Sequence, residues 1–179
     1  MIYKFRAILD AEDDVIRDIA IDENDTLEDL HNALFNAFGF DGMEVASFYT
    51  CDDTWNQEDE IAMFDSGEVE GEQRIMSDYA LNEVLHKNKT KIIYVYDFIN
   101  MWTFLVELAA IEDAQTGIIY PNLLFSAGVL PEAAPDTVFE ADGDVAAYNE
   151  EFEDDLDDDD LDGFGEDRFE DFGFEENWN

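Results

Sequence analysis

Apolar and polar residues alternate in "IYKFRAIL" and again in "VIRDIAI", the two-residue period of a half-buried strand. The first stretch predicts a strand over residues 2–9 and the second a strand over 15–21. The intervening "AEDD" reads as a turn, so the pair is expected to form a hairpin. The period then changes. In "DENDTLEDLHNALFNAFGF", Leu27, Leu30, Leu34 and Phe38 recur at helical spacing, with Ala33 and Ala37 beside them. Thr26 is a suitable N-cap with Asp29 as its capping-box partner, and Gly39 supplies the C-terminal stop. "EVASFYT" (44–50) reads as the next strand, and "EIAMF" (60–64) as a short one after the polar loop "CDDTWNQED". "SDYALNEVLHK" predicts a second helix with Ser77 as its N-cap. In "KIIYVYDFINMWTFLVEL", two runs rich in β-formers meet at a polar bend, predicting strands near 91–98 and 102–110. The order β-β-α-β-β-α-β-β indicates an α+β domain, with two helices packed on a mostly antiparallel sheet.

Beyond residue 113 the patterns fade. "AQTGIIYPNLLFSAGVLPEAAPDT" (114–137) is semi-apolar and holds all three prolines, Pro121, Pro131 and Pro135, so an irregular wrap or linker is expected. Residues 138–179 are dominated by acids and are expected to be a disordered acidic–aromatic tail. Three segments result: an α+β domain over 1–113, the wrap over 114–137, and the tail over 138–179.

Charge changes this picture more than composition does. The 179 residues include 15 Phe and 7 Tyr, enough for a real core, but 48 acids stand against 8 bases, a formal net charge of −40. From Glu132 onward there are 21 acids and a single base, Arg168, so about half the charge lies in the last quarter. The preceding residues still carry about −20, so removing the tail leaves no basic surface. Nucleic-acid affinity comes largely from Lys and Arg displacing counterions, so direct nucleic-acid binding is excluded, as is docking on an anionic membrane. Basic protein surfaces and divalent cations are the partners such a field attracts. The lone Cys51 cannot form an internal disulfide, the charged N-terminus lacks a signal-peptide core, and no apolar run is long enough to span a bilayer. The cytoplasm is the expected location.

The bend at 97–102 also carries a resemblance. Tyr94, Tyr96, Asp97, Phe98 and Trp102 match an approximate Tyr-x-Tyr-Asp-Phe-Gly-Asp-x-Trp signature. Upstream stand Arg17 in the second strand, "TLEDLH" with Leu27, Leu30 and His31, and "AFGF" with Phe38, Gly39 and Phe40. In order and spacing, residues 1–113 resemble the plasmid pRiA4b ORF-3-like family. The departures are Ile99 and Asn100 where the family has Gly-Asp, Thr103 and Phe104 after the Trp, and "LPEAAPD" in place of a Pro-Pro-Glu-Asp-x-Gly-Gly loop. Some members occur on plasmids and insertion elements and carry resolvase-like labels. That association establishes no reaction, and this chain lacks the basic surface that recombination needs.

Read for chemistry, the bend is expected to be a structural corner, since Asp97 and Asn100 suit a turn and Trp102 a partly apolar niche. A pocket near Asp97 and Trp102, serving an enzyme or a small-ligand binder, is the alternative. His31 on the first helix and His86 at the end of the second lie in no metal-ligand spacing, and neither a catalytic residue nor a metal ligand is assigned. Cys51, beside "DDTW", has carboxylates that disfavour a thiolate. No phosphate or dinucleotide loop occurs, and no cofactor is implied. Asp158, Asp160, Asp162 and Gly163 resemble half of a calcium loop, but Phe169 stands where the bidentate Glu is required. The aromatic residues Phe164, Phe169, Phe172, Phe174 and Trp178 among the acids suit docking to a basic partner protein; a tail that folds back on its own domain, or that serves only solubility, is the alternative. The expected function is therefore that of a non-catalytic interaction protein, its tail meeting a basic, nucleic-acid-handling partner as a nucleic-acid mimic.

Overall fold

In the computed structural model of the chain, which describes residues 1–67 and 73–135, the alternating stretches pair into one sheet. β1 (Ile2–Leu9) and β2 (Ile16–Asp22) form the expected hairpin, with Phe5 opposite Ile19 and Ala7 opposite Arg17. β3 (Ala46–Cys51), β4 (Gln57–Ala62), β5 (Lys91–Tyr96), β6 (Trp102–Glu112) and β7 (Asn122–Ala127) complete it. The spatial order is β4-β3-β5-β6-β1-β2-β7, and every neighbouring pair is antiparallel.

Strand alternation sends Tyr3, Phe5, Ala7, Ile19, Ile21, Phe48, Tyr94, Phe104 and Val106 into one buried cluster. There α1 (Leu27–Phe38) contributes Leu27, Leu30, Leu34 and Phe38 from its apolar stripe. Burying an apolar side chain of this size stabilises the fold by roughly 1.5–3 kcal/mol. The predicted caps are present. The Asp29 N–H donates to Thr26 Oγ1 (3.2 Å), and the Thr26 N–H donates to Asp29 Oδ2 (2.8 Å). Gly39 takes the left-handed conformation (φ 85°) in which its N–H closes on the Phe35 and Asn36 carbonyls.

A separate small cluster gathers Cys51, Ile93 and Val95 with Tyr49, Trp55 and Leu105. Across four strands the charges alternate in register: Lys91 lies opposite Glu107, Glu107 opposite Arg6, and Arg6 opposite Asp18. Cross-strand pairs of opposite sign favour this pairing over a slipped one.

Two elements differ in kind from expectation, and β4 begins at Gln57, three residues inside the expected polar loop, and ends at Ala62. "SDYALNEVLHK" is not one helix. It forms a 3-10 turn at Met76–Asp78 and then a single helical turn, α2 (Leu81–Val84), whose cap is Ala80 and not Ser77. The loop entering α1 takes the intervening backbone: Leu27 N–H donates to Tyr79 O, Leu81 N–H to Asp25 O and Asn82 N–H to Glu23 O. Those bonds hold Tyr79 and Ala80 extended, which breaks helical continuity. The second difference is β7, a strand inside the segment expected to be irregular, paired with β2 at the sheet edge.

Candidate functional site

The family-like residues fall around the end of the β5–β6 hairpin and in the layer between α1 and the sheet. Tyr96 and Trp102 are register partners, and the chain turns between them through Asp97 (φ 61°) and Met101 (φ 56°), both left-handed. The Asp97 N–H donates to Val45 O (2.9 Å), and its carbonyl accepts the Met101 N–H (2.6 Å). Its carboxylate closes the turn. Oδ1 accepts the N–H groups of Ile99 (3.0 Å) and Asn100 (3.3 Å), while Oδ2 accepts Asn100 Nδ2 (2.5 Å). These donors, the Asn100 side chain foremost, hold the Asp97 carboxyl below its usual range. An anion with both oxygens occupied by its own turn is poorly placed to accept a substrate proton. Phe98 and Ile99 stand exposed at the tip.

Behind the corner the residues interlock as rings. Phe40 stacks on Tyr96 (4.6 Å between centroids) and meets Trp102 edge-on (5.3 Å). Phe40 also meets Phe104, which in turn contacts Phe38 (4.3 Å) and Tyr94 (5.9 Å). Tyr94 packs beside His31, and the Arg17 guanidinium lies over Phe38 at 5.0 Å. Arg17, His31, Tyr96 and Trp102 are thus joined through one aromatic cluster centred on Phe104, which stands at a departure from the family signature.

The two charged-type residues of that cluster are buried. Arg17 Nε donates to Ala37 O (2.9 Å), and Nη1 donates to Ile16 O and Ala127 O (both 2.8 Å). Both terminal nitrogens also approach Gly128 O at 3.3 Å. One guanidinium therefore ties the C-terminal end of α1 to β2 and to the end of β7. Burial lowers its pKa from the usual guanidinium value, and carbonyl dipoles compensate the charge in place of a carboxylate. His31 shares a 2.8 Å hydrogen bond between Nδ1 and the Tyr94 hydroxyl, while its Nε2 is buried without a partner among the described residues. Burial pulls His31 down to about 4, so the imidazole is neutral at neutral pH. His86 is on no helix; it is exposed and pairs through its backbone with Lys89 in a tight turn.

Cys51 is buried, and burial, followed by the charges of Glu58 and Asp52, pushes its thiol up to about 11. A thiol so shifted is a poor nucleophile. Among the described residues no three His, Cys, Asp or Glu side chains are grouped to hold a metal ion, and no helix is long and apolar enough to cross a membrane. Phe164, Phe169, Phe172, Phe174, Trp178 and the calcium-like Asp158–Asp162 run lie outside the described residues.

Of the seven Lys and Arg side chains among the described residues, all but the exposed Lys87 are engaged. Lys4 pairs with Glu112 (2.7 Å), Arg6 with Asp18 (2.8 Å), Arg74 with Asp59 (3.0 Å) and Lys89 with Glu58 (3.3 Å). The Lys91 ammonium donates to Asp53 O and lies over the Trp55 ring at 4.8 Å.

The sequence profile of the plasmid pRiA4b ORF-3-like proteins matches residues 2–167. The chain belongs to the plasmid pRiA4b ORF-3-like family. The match extends well past residue 113, so β7 and part of the acidic segment fall within the family's span. Among solved structures, the chain is similar to a protein of unknown function from Methanosarcina mazei Go1. The two share 22% identity and a TM-score of 0.63 over 73% of this chain and 72% of that one. At that identity the likeness shows a shared fold. Comparison with curated proteins finds no match. In this pRiA4b ORF-3-like chain, the signature residues Arg17, His31, Tyr96, Asp97 and Trp102 hold a turn and an aromatic layer together.

Proposed function

We propose that the chain is a non-catalytic, cytoplasmic interaction protein whose acidic surface and acidic–aromatic tail dock on a basic partner protein. The observation that carries this reading is the engagement of six of the seven described Lys and Arg side chains with the chain's own carboxylates, carbonyls and rings. What remains for a partner is an excess of carboxylate on a chain of net charge −40. Such a surface attracts the groove of a DNA- or RNA-handling protein, and the chain acts there as a nucleic-acid mimic. Phe164, Phe169, Phe172, Phe174 and Trp178 add apolar contact to the charge. The closed turn at Asp97 occupies both carboxylate oxygens on which the alternative, a small-ligand pocket at the corner, would draw.

Affinity capture tests the proposal with three proteins: the full chain, a chain ending at Asp136, and a full chain with the five tail aromatics changed to Ser. Salt-sensitive recovery of a basic protein by the full chain, weakened in both variants, is the expected outcome. Equal recovery by all three removes the tail from the reading. Tight retention of bare DNA or RNA by the purified full chain overturns it altogether.

A further inference from the structure

Beyond the tail, the sheet edge at β7 carries an independent observation. β7 ends the strand order, so one side of its backbone is unpaired among the described residues. Leu123, Leu124 and Phe125 in succession are 47%, 45% and 48% exposed, and no charged residue occurs between Asn122 and Ala127. Beside the strand runs a groove of about 440 Å³ against α1, floored by Ile19, Ala33, Ala37 and Leu123. Asp29, Asn32 and Asn36 line it as well, a carboxylate and two amides from α1. An unpaired backbone beside a pocket for alternate side chains is the arrangement by which proteins accept an added strand.

We propose that β7 is a docking edge for an extended segment of a partner protein that alternates apolar residues with Lys or Arg. The segment adds an eighth strand. One alternate side chain enters the groove, its stem on Ala33 and Ala37 and its cationic head towards Asp29. Charge selects this occupant over a second copy of the chain, because two surfaces of this sign repel while a basic strand is drawn in.

The probe is an acetylated, amidated octapeptide alternating Lys and Val, used with the full chain. Its control is the same peptide N-methylated on alternate amides, equal in charge but unable to complete a ladder. Amide hydrogen exchange across the protein is the readout. Only the unmodified peptide is expected to slow the unpaired amides of Asn122–Ala127, by about tenfold at saturation. Leu123→Lys, at an exposed position, is expected to weaken that binding about tenfold without lowering the melting temperature, because the new ammonium opposes the incoming cation. Equal protection by the N-methylated peptide, protection elsewhere, no protection, or unchanged binding by Leu123→Lys each overturns the proposal. Protection of β7 that rises with protein concentration in the absence of peptide also overturns it, in favour of self-pairing. Loss of the tail-dependent capture described above leaves this result untouched, so the two readings fail separately.

Discussion

β4 exposes Gln57, Glu58, Asp59 and Glu60 along one free side of the sheet, whereas β7 exposes Leu123, Leu124 and Phe125 along the other. On β4 the carboxylates are also tethered: Glu58 to Thr50 and Lys89, Asp59 to Arg74, Glu60 to Ser47 and Tyr49. Charges on an edge strand prevent a second strand from adding, and a chain so rich in acids supplies them readily. Against that background an uncharged edge is informative. β7 is not simply loose, because Arg17 bonds its last carbonyl and that of Gly128, while Gly128 passes close to Asp14. The difference between the edges is therefore one of surface, on strands that are both firmly joined to the sheet.

The largest expected break in that comparison comes from Arg17→Met. It leaves the carbonyls of Ala37, Ala127 and Gly128 without this buried donor, and the expected loss of unfolding free energy in urea is about 3 kcal/mol. Amide exchange should quicken at β7 well before it does at β4. Equal acceleration at both edges would show that Arg17 does not specifically anchor β7.

Next in size is Gly128→Ala. A Cβ there collides with Asp14 O at a backbone φ of +74°, so the turn after β7 must shift. The expected cost is about 2 kcal/mol, with exchange faster throughout Asn122–Ala127. Alanine at Gly39, also left-handed but with open space around its Cβ position, is expected to cost less.

Acid has a comparable effect through α1, which walls the groove beside β7. The folded-state pKa of His31, about 4, lies below the ordinary 6.5, so the unfolded chain binds the proton more readily. Stability from neutral His31 is complete above pH 6.5 and is lost as pH falls towards 4, by about 2 kcal/mol between pH 6.5 and pH 5. Urea midpoints across that window measure the slope, and His31→Phe should flatten it. A slope that survives the substitution would assign the acid response to other groups.

The smallest change in stability, within about 0.5 kcal/mol, is expected when β4 is neutralised by Glu58→Gln, Asp59→Asn and Glu60→Gln together, since exposed ion pairs contribute little. Its consequence should instead be strand addition: by amide exchange the alternating Lys and Val peptide is expected to protect the neutral β4 edge, which it leaves unprotected in the parent chain. If the neutral β4 edge stays unprotected, carboxylates are not what keeps it free.

Much of this architecture was legible because it is written locally. Thr26, Asp29 and Gly39 bound α1 as their capping chemistry requires, and the alternation of "IYKFRAIL" and "VIRDIAI" marked the two strands of the first hairpin. The Asp97–Asn100 corner was legible for the same reason, since an Asp two residues before a free N–H closes its own turn. The second helix was misread because its local pattern competed with backbone bonds to residues 23–27, which are more than fifty positions away. β7 was missed because "NLLFSA" shows no alternation and lies between prolines; its partner is β2, remote in sequence. Nor did any local signal reveal Phe104 as the hub joining the signature residues, since ring packing follows from sheet register.

Period, capping residues and charge count, all properties of neighbouring positions, were sufficient to specify the α+β class, the bounds of α1, the first hairpin and the sign of the surface. Only the folded chain decided that Arg17 would spend its charge on carbonyls from three elements, that His31 would sit neutral beneath a helix, and that one edge would be left apolar. The physical reason is range: a turn or a cap is complete within a few residues, whereas a buried charge or a sheet edge is defined by groups that meet only after the strands have paired.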